Sequence, residues 1–154
     1  MGLDTSHDCW VGSYTHFGMW RQEVARAAGY TLVRNADVPW PTIEIPWEMF
    51  SRENSLGDWA AGPAVEDPLI YLFVHSDAEG VIHPEQGRHL AARLEQLLPE
   101  LTTDAANESA SRFEKFLPAL TIQRITREWL EEKTVRFIKG LRAAADSGQD
   151  VEFS

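Results

Sequence analysis

The sequence predicts an α+β fold in which about four helices pack on a small sheet of three to five short strands. Apolar residues recur at helical spacing in four stretches, and short apolar segments bounded by glycine or proline lie between them. With 154 residues, of which 44% are apolar and 25% charged, the chain suits one globular domain over residues 1–154. We interpret residues 37–67, which are rich in tryptophan and proline, as a loop inserted into that domain.

The first half of the chain is predicted to contain one helix and several short strands. Tyr14, Phe17 and Val24 share one helical face, which predicts a helix over residues 13–28. Gly29 then provides a helix stop. Short strands are expected at residues 2–5, 31–33 and 43–45.

The second half is predicted to contain one buried strand and three helices. The continuous apolar run at residues 69–74 predicts a central strand with both faces buried. Pro84 suits the first position of a helix. The other predicted elements are a helix capped by Thr103 or Asp104 and stopped by Pro118, a longest helix at residues 121–145 closed by Gly148, and an edge strand at residues 151–153.

The net charge of −10 restricts the partners of the protein. A field of this sign repels phosphate backbones and anionic lipids, so we expect no long nucleic acid and no membrane as partner. The sequence has no apolar run of the roughly 18 residues that a membrane span requires. The single cysteine, Cys9, excludes an internal disulfide. Together these features predict a cytoplasmic protein.

A first cluster of chemically active side chains lies near the N-terminus. Within six residues the chain places Asp4, His7, Asp8 and Cys9, all of which are competent metal ligands or proton carriers. The alternative interpretation is a capping loop, in which Ser6 or Asp8 accepts hydrogen bonds from the first amides of the next helix. Cys9 is expected to be a small buried residue.

A second cluster follows the predicted strand at residues 69–74 and contains His75, Ser76, Asp77 and Glu79. If the strand at residues 2–5 runs parallel to it, both clusters emerge at the same sheet edge, where sites in such folds gather. The alternative is again structural, because a tight turn out of a strand favours the same residue types.

The two clusters together predict a metal-assisted hydrolase of a small polar or phosphorylated molecule. A divalent ion (zinc, manganese or magnesium) lowers the pKa of its bound water to about 7. The candidate metal ligands are Asp4, His7 and His75. The candidate catalytic residues are Asp8, Asp77 and Glu79.

The remaining candidates for ligand binding are Ser76 and three of the six tryptophans, Trp10, Trp40 and Trp47. Indole rings can stack on a planar ligand, although they also fill cores. An alternative function is therefore the non-catalytic binding of a small molecule of the nucleotide type. A second alternative is a protein-interaction module that uses residues 37–50 as its binding strip.

Three blocks of the sequence resemble a set of small uncharacterised proteins from actinobacteria and their phages. They are GLDTSHDCW near the N-terminus, HSDAEG after the apolar run, and FIKGLRAAADSGQDVEF near the C-terminus, about a fifth of the chain. The resemblance implies a bacterial cytosol, native or phage-infected, as the setting. It implies no catalytic role, but it adds weight to the histidines and aspartates of the first two blocks.

Overall fold

The computed structural model describes residues 2–34, 36–37, 41–46, 67–73 and 80–154. Helices and short antiparallel strands occur together in this part of the chain, which confirms the predicted α+β class. None of its helices is both long enough and apolar enough to cross a membrane. The helices are α1 (Tyr14–Ala27), α2 (Ile70–Phe73), α3 (Pro84–Leu97), α4 (Asp104–Phe116) and α5 (Arg127–Asp146).

The described strands form three two-stranded antiparallel sheets rather than the one predicted sheet. Backbone hydrogen bonds between Asp4 and Ser154, at 3.1 and 3.0 Å, nevertheless join two of the sheets edge to edge. The N-terminal and C-terminal ends of the chain are thereby held together. The pairs are β1 (Gly2–Asp4) with β2 (Val11–Ser13), β3 (Leu32–Val33) with β4 (Thr42–Ile43), and β5 (Gly80–Ile82) with β6 (Val151–Phe153).

Helix α1 runs through the core and forms close to its predicted bounds. The Ser13 side chain caps it by accepting a hydrogen bond from the His16 amide, and Gly29 ends it with a φ of 88° that glycine adopts at little cost. The buried Trp20 donates its indole N–H to Thr134 of α5 at 2.9 Å. This bond fixes the position of α1 against α5.

The end of α1 also organises the start of α4 through a buried carboxylate. Glu23 is fully buried and accepts a hydrogen bond from the Ala106 amide at 2.9 Å, while Arg26 donates to its second oxygen at 3.0 Å. Thr103 occupies the predicted cap position of α4, but within the described residues its side chain makes no capping bond. A residue distant in sequence therefore supplies the cap.

The prediction of a central strand at residues 69–74 is wrong for the residues described. Ile70–Phe73 forms the short helix α2, and Val74 lies outside the described residues. Asp67 starts the helix, because its side chain accepts from the Leu69 amide at 3.1 Å and its carbonyl from the Ile70 amide at 3.2 Å. A short buried apolar run does not distinguish strand from helix, so local capping decided the outcome.

The longest helix begins later than predicted, at Arg127 rather than residue 121. The Thr126 side chain accepts a hydrogen bond from the Trp129 amide at 3.1 Å and so sets the first turn. The preceding segment is held extended by Asn107, whose side chain bonds both backbone groups of Ile125 at 3.0 and 3.2 Å. The predicted helix stop at Gly148, with a φ of 66°, is confirmed.

Candidate functional site

The N-terminal cluster forms a short 3-10 turn, Ser6–Asp8, between β1 and β2. His7 and Asp8 both have positive φ angles, 56° and 58°, which are uncommon for residues other than glycine. The two ring nitrogens of His7 contact Ser6 Oγ at 3.0 Å and Gln149 Oε1 at 2.8 Å. The imidazole therefore ties the turn to the loop before β6.

The two aspartates of this cluster take part in holding the fold together, Asp8 through its side chain and Asp4 through its backbone. Asp8 forms an ion pair with Arg136 of α5 at 2.5 Å, and the same guanidinium donates to the Asp8 carbonyl at 3.0 Å. Asp4 lies in β1, where its backbone pairs with Ser154. Cys9 is fully buried, as expected, and burial raises the pKa of its thiol to about 12. These contacts are structural, but the predicted capping by Ser6 or Asp8 is wrong, because Ser13 caps α1 and Asp8 pairs with Arg136 instead.

The second predicted cluster, His75, Ser76, Asp77 and Glu79, lies outside the described residues. The parallel strand pair that was expected to bring the two clusters together is absent from the described part, since β1 pairs antiparallel with β2 and residues 70–73 are helical. Across that same part no three metal-ligating side chains form a group that could hold an ion. The metal-assisted hydrolase stays a prediction.

Of the three tryptophans predicted to bind a ligand, only Trp10 lies within the described residues. Trp40 and Trp47 lie outside the described residues, as does half of the strip at residues 37–50. Trp10 is fully buried, with Phe17 at 5.0 Å and Trp20 at 5.4 Å between ring centroids. Its ring lies among these core aromatics with the Lys133 ammonium over it, 5.0 Å from the centroid, and its role in ligand binding stays a prediction.

A cavity of about 940 Å³, hereafter the α1–α3 cavity, opens between the end of α1 and the outer side of α3. Its volume lies within the range of about 300–1,000 Å³ that is typical of small-molecule pockets. Two of its wall segments adjoin the stretch 47–66, which the structure does not describe. The described wall consists of residues 28–31, 44–46 and 67–68 with His89, Ala92, Arg93 and Gln96 of α3.

A hydrogen-bonded group of three side chains forms one polar part of this wall. Asp67 is buried, with 9% of the residue's surface exposed. Its carboxylate accepts hydrogen bonds from the Tyr30 hydroxyl at 2.8 Å and from Arg93 Nε at 3.3 Å. Burial, together with the hydrogen bond to Asp67, raises the pKa of Tyr30. The phenol therefore stays protonated at neutral pH and remains a donor.

The sequence contains no motif that marks this wall. Tyr30, Asp67 and Arg93 are each separated by more than twenty residues, and tertiary packing alone brings them together. The nearest sequence signals are the Asp-Pro pair at residues 67–68, which favours a turn, and His89, a single histidine in the predicted helix after Pro84. His89 lies in α3 and is exposed in the cavity wall.

Comparisons with known proteins leave the site to be interpreted from its geometry. The predicted resemblance to actinobacterial and phage proteins is not tested by them. No protein-family model matches the sequence, and no curated protein and no solved structure matches the chain.

Proposed function

We propose that the protein binds a small polar organic molecule in the α1–α3 cavity without transforming it. The observation that carries this proposal is a cavity of about 940 Å³ whose wall presents a buried carboxylate fixed in place by a phenol and a guanidinium. Ligand pockets combine such a volume with a few rigidly placed polar groups. The proposal keeps the non-catalytic binding predicted from the sequence as an alternative, but with a different ligand class from the nucleotide-type molecule named there.

The charges of the described wall favour a neutral or cationic ligand. Arg93 is the one guanidinium in this part of the wall, and its charge is balanced by Asp67. Glu44 adds an exposed carboxylate for which the described residues provide no ion pair. An ammonium group near Glu44, with the Tyr30 ring nearby for a cation–π contact, fits this arrangement better than a polyanion.

The hydrogen bonding of the wall favours binding over proton transfer. Asp67 accepts three hydrogen bonds, from Tyr30, Arg93 and the Leu69 amide, and these donors occupy both of its carboxylate oxygens. A general base needs a free lone pair within reach of the ligand and a pKa near the working pH. The geometry of Asp67 suits a rigid positioning group instead.

Phenethylamine and phenylacetate test the proposal as a matched pair, because they share a ring and differ in charge. We expect phenethylamine to raise the melting temperature of the protein and to bind in calorimetry, whereas phenylacetate does not. Glu44→Gln removes the free carboxylate and is expected to weaken phenethylamine binding by about tenfold. A stronger effect of phenylacetate than of phenethylamine contradicts the proposed charge preference.

A second test of the proposal fills the cavity with a large side chain. Ala92 is exposed on the cavity side of α3, so Ala92→Trp is expected to occupy the space without disturbing the core. Ala143→Trp is the matched control, since Ala143 is equally exposed but lies on α5. If the Ala92→Trp protein is folded and binds phenethylamine as the wild type does, the α1–α3 cavity is not the binding site.

A further inference from the structure

A run of five apolar residues at the end of α4 is exposed to solvent. The run, hereafter the apolar tip, consists of residues 116–120 (FLPAL), and every one of them is exposed. Phe116, Leu117 and Leu120 keep 54%, 44% and 48% of their surface accessible. The other exposed large apolar side chains in the described part of the chain stand singly in separate strands, as is usual on a globular surface. Consecutive exposed apolar residues instead mark an interaction surface.

The apolar tip is held in place by hydrogen bonds within it and on either side of it. The Leu117 amide donates to the Phe113 carbonyl at 2.9 Å, and the Leu120 amide donates to the Leu117 carbonyl at 3.0 Å. Directly after the tip, the Ile122 amide donates to the Glu114 side chain at 2.8 Å. A surface that is ordered in advance loses little conformational entropy when a partner binds to it.

Helix α4 presents a charged stripe that leads to the apolar tip. The opposite face of the helix packs on α1, where the Ser109 hydroxyl donates to Gln22 at 2.9 Å. Residues spaced three or four apart share one face of a helix. The outward stripe has this spacing and consists of the exposed residues Asp104, Glu108, Arg112, Lys115 and Phe116. It is therefore acidic in its first half, basic in its second half and apolar at its end.

The charges of the stripe are available to a partner. Within the described residues, no ion pair or hydrogen bond engages the side chains of Asp104, Arg112 or Lys115. Glu108 lies 3.1 Å from Arg34, but 61% of its side chain remains exposed. Exposed ion pairs of this kind contribute little to stability, so Glu108 can also meet a second cation.

The order of the charges makes the stripe complementary to a second copy of itself. Two antiparallel α4 helices related by a two-fold axis level with Ala110 place Glu108 against the partner's Arg112, and the symmetry repeats that pair. Asp104 then lies level with the partner's Lys115. An axis through the apolar tip would instead bring the two Lys115 ammonium groups together, which repulsion disfavours. Charge therefore selects the antiparallel register centred on α4.

We infer that the charged stripe and the apolar tip form a two-fold interface between two copies of this chain. Each copy contributes nine exposed residues, against roughly 20–30 a side in an interface of standard size. The dimer is therefore weak, with a dissociation constant on the order of 0.1 mM. At the roughly 5 µM of protein used to measure unfolding, the chain is monomeric. The inference is independent of the proposed function, because none of the described residues that line the α1–α3 cavity belongs to α4.

Sedimentation velocity between about 5 µM and about 1 mM protein tests the inference. We expect the weight-average mass to rise with concentration from that of a monomer toward that of a dimer. We also expect the amide resonances that shift with concentration to lie in residues 104–120. A chain that stays monomeric at about 1 mM overturns the inference, and so do concentration-dependent shifts confined to other elements.

Reversing the charge at two positions of the stripe tests the register. Glu108→Arg and Arg112→Glu each place like charges across the two-fold axis, so each protein alone is expected to associate at least about tenfold more weakly than the wild type. An equimolar mixture of the two is expected to regain association, because one variant then presents two positive charges at these positions and the other presents two negative charges. A mixture of the two folded proteins that stays monomeric overturns the inference.

Two variants on α5 are matched controls for the change in net charge. Glu131→Arg and Lys139→Glu alter exposed positions outside the stripe, and each is expected to associate within about twofold of the wild type. Losses equal to those of the stripe variants would show a general charge effect and overturn the inference.

The apolar tip is tested by removing its largest side chain. Phe116→Ser is expected to weaken association at least about fivefold, because less apolar surface is then buried between the copies. Val33→Ser, an exposed change in β3, is the matched control and should associate as the wild type does. Undiminished association of Phe116→Ser overturns the inferred interface.

Discussion

Gly140 of α5 packs directly against the backbone of His7: a Cβ added to Gly140 would lie 2.8 Å from the His7 carbonyl oxygen and would overlap the sulfur of Cys9. Helix α5 can therefore approach the left-handed turn only with glycine at this position. Glycine inside a helix costs roughly 0.5–1 kcal/mol relative to alanine, so the close approach must offset that cost. The contact explains how the turn at residues 6–8 is held against α5.

Replacing Gly140 by alanine is expected to destabilise the protein by about 1–3 kcal/mol, because the added methyl group has backbone on two sides and cannot be accommodated by a side-chain rotation. Urea denaturation measures the change. Gly18→Ala is the control, since a Cβ at Gly18 in α1 meets nothing within 4 Å and should raise stability by up to about 1 kcal/mol. A Gly140→Ala protein as stable as the wild type would contradict the packing described.

The buried bond from Trp20 to Thr134 predicts a second stability effect. Thr134→Val keeps the shape of the side chain but leaves the indole N–H without its acceptor, which is expected to cost about 1–3 kcal/mol. Thr134→Ser retains the hydroxyl and should lose less. Comparing the two variants by thermal and urea unfolding isolates the hydrogen bond, and a larger loss in the serine variant would assign the effect to packing.

Cys9 is predicted to be unreactive in the folded protein. The thiolate is the reactive form, and both full burial and a pKa raised to about 12 oppose its formation. A disulfide reagent such as DTNB should therefore modify Cys9 only as fast as the protein opens, and rapidly in guanidinium. Ser147→Cys, which adds an exposed thiol, should react at once. Fast modification of Cys9 in the native wild type would be inconsistent with its burial.

The ion pair between Glu114 and Arg124 predicts a dependence of stability on pH. The hydrogen bond from Arg124 lowers the pKa of Glu114 below its usual 4.5. A lowered carboxyl pKa adds stability above the unfolded-state value, and this contribution is lost as the pH falls through the folded-state value.

Arg124→Gln is therefore expected to reduce stability near neutral pH and to match the wild type in acid. Urea unfolding between about pH 6 and about pH 3 measures the difference. Arg112→Gln, an exposed change on α4, should differ from the wild type in stability by the same amount at both ends of this pH range. A difference between Arg124→Gln and the wild type that persists unchanged at the acid end would rule out this linkage.

Local signals predicted most of the helices well. The Ser13 cap and Gly29 mark α1, Pro84 marks the start of α3, and Gly148 marks the end of α5, because capping chemistry acts over a few residues and can be found in the sequence. The apolar run at residues 69–74 was misassigned because every position in a fully buried run is apolar. No alternation of polar and apolar residues is then left to distinguish a helix from a strand. The later start of α5 depended on Asn107, eighteen residues away.

The sequence by itself determined the α+β class, the helix ends and the acidic character of the protein, since these depend on composition and on contacts between near neighbours. Only the tertiary structure decided which charges are balanced and which donors lack a partner. Asp8 meets Arg136 across 128 residues, and Tyr30 meets Asp67 across 37, so neither pairing follows from spacing. The α1–α3 cavity arises in the same way, because a binding site is built from side chains that packing, rather than sequence order, brings together.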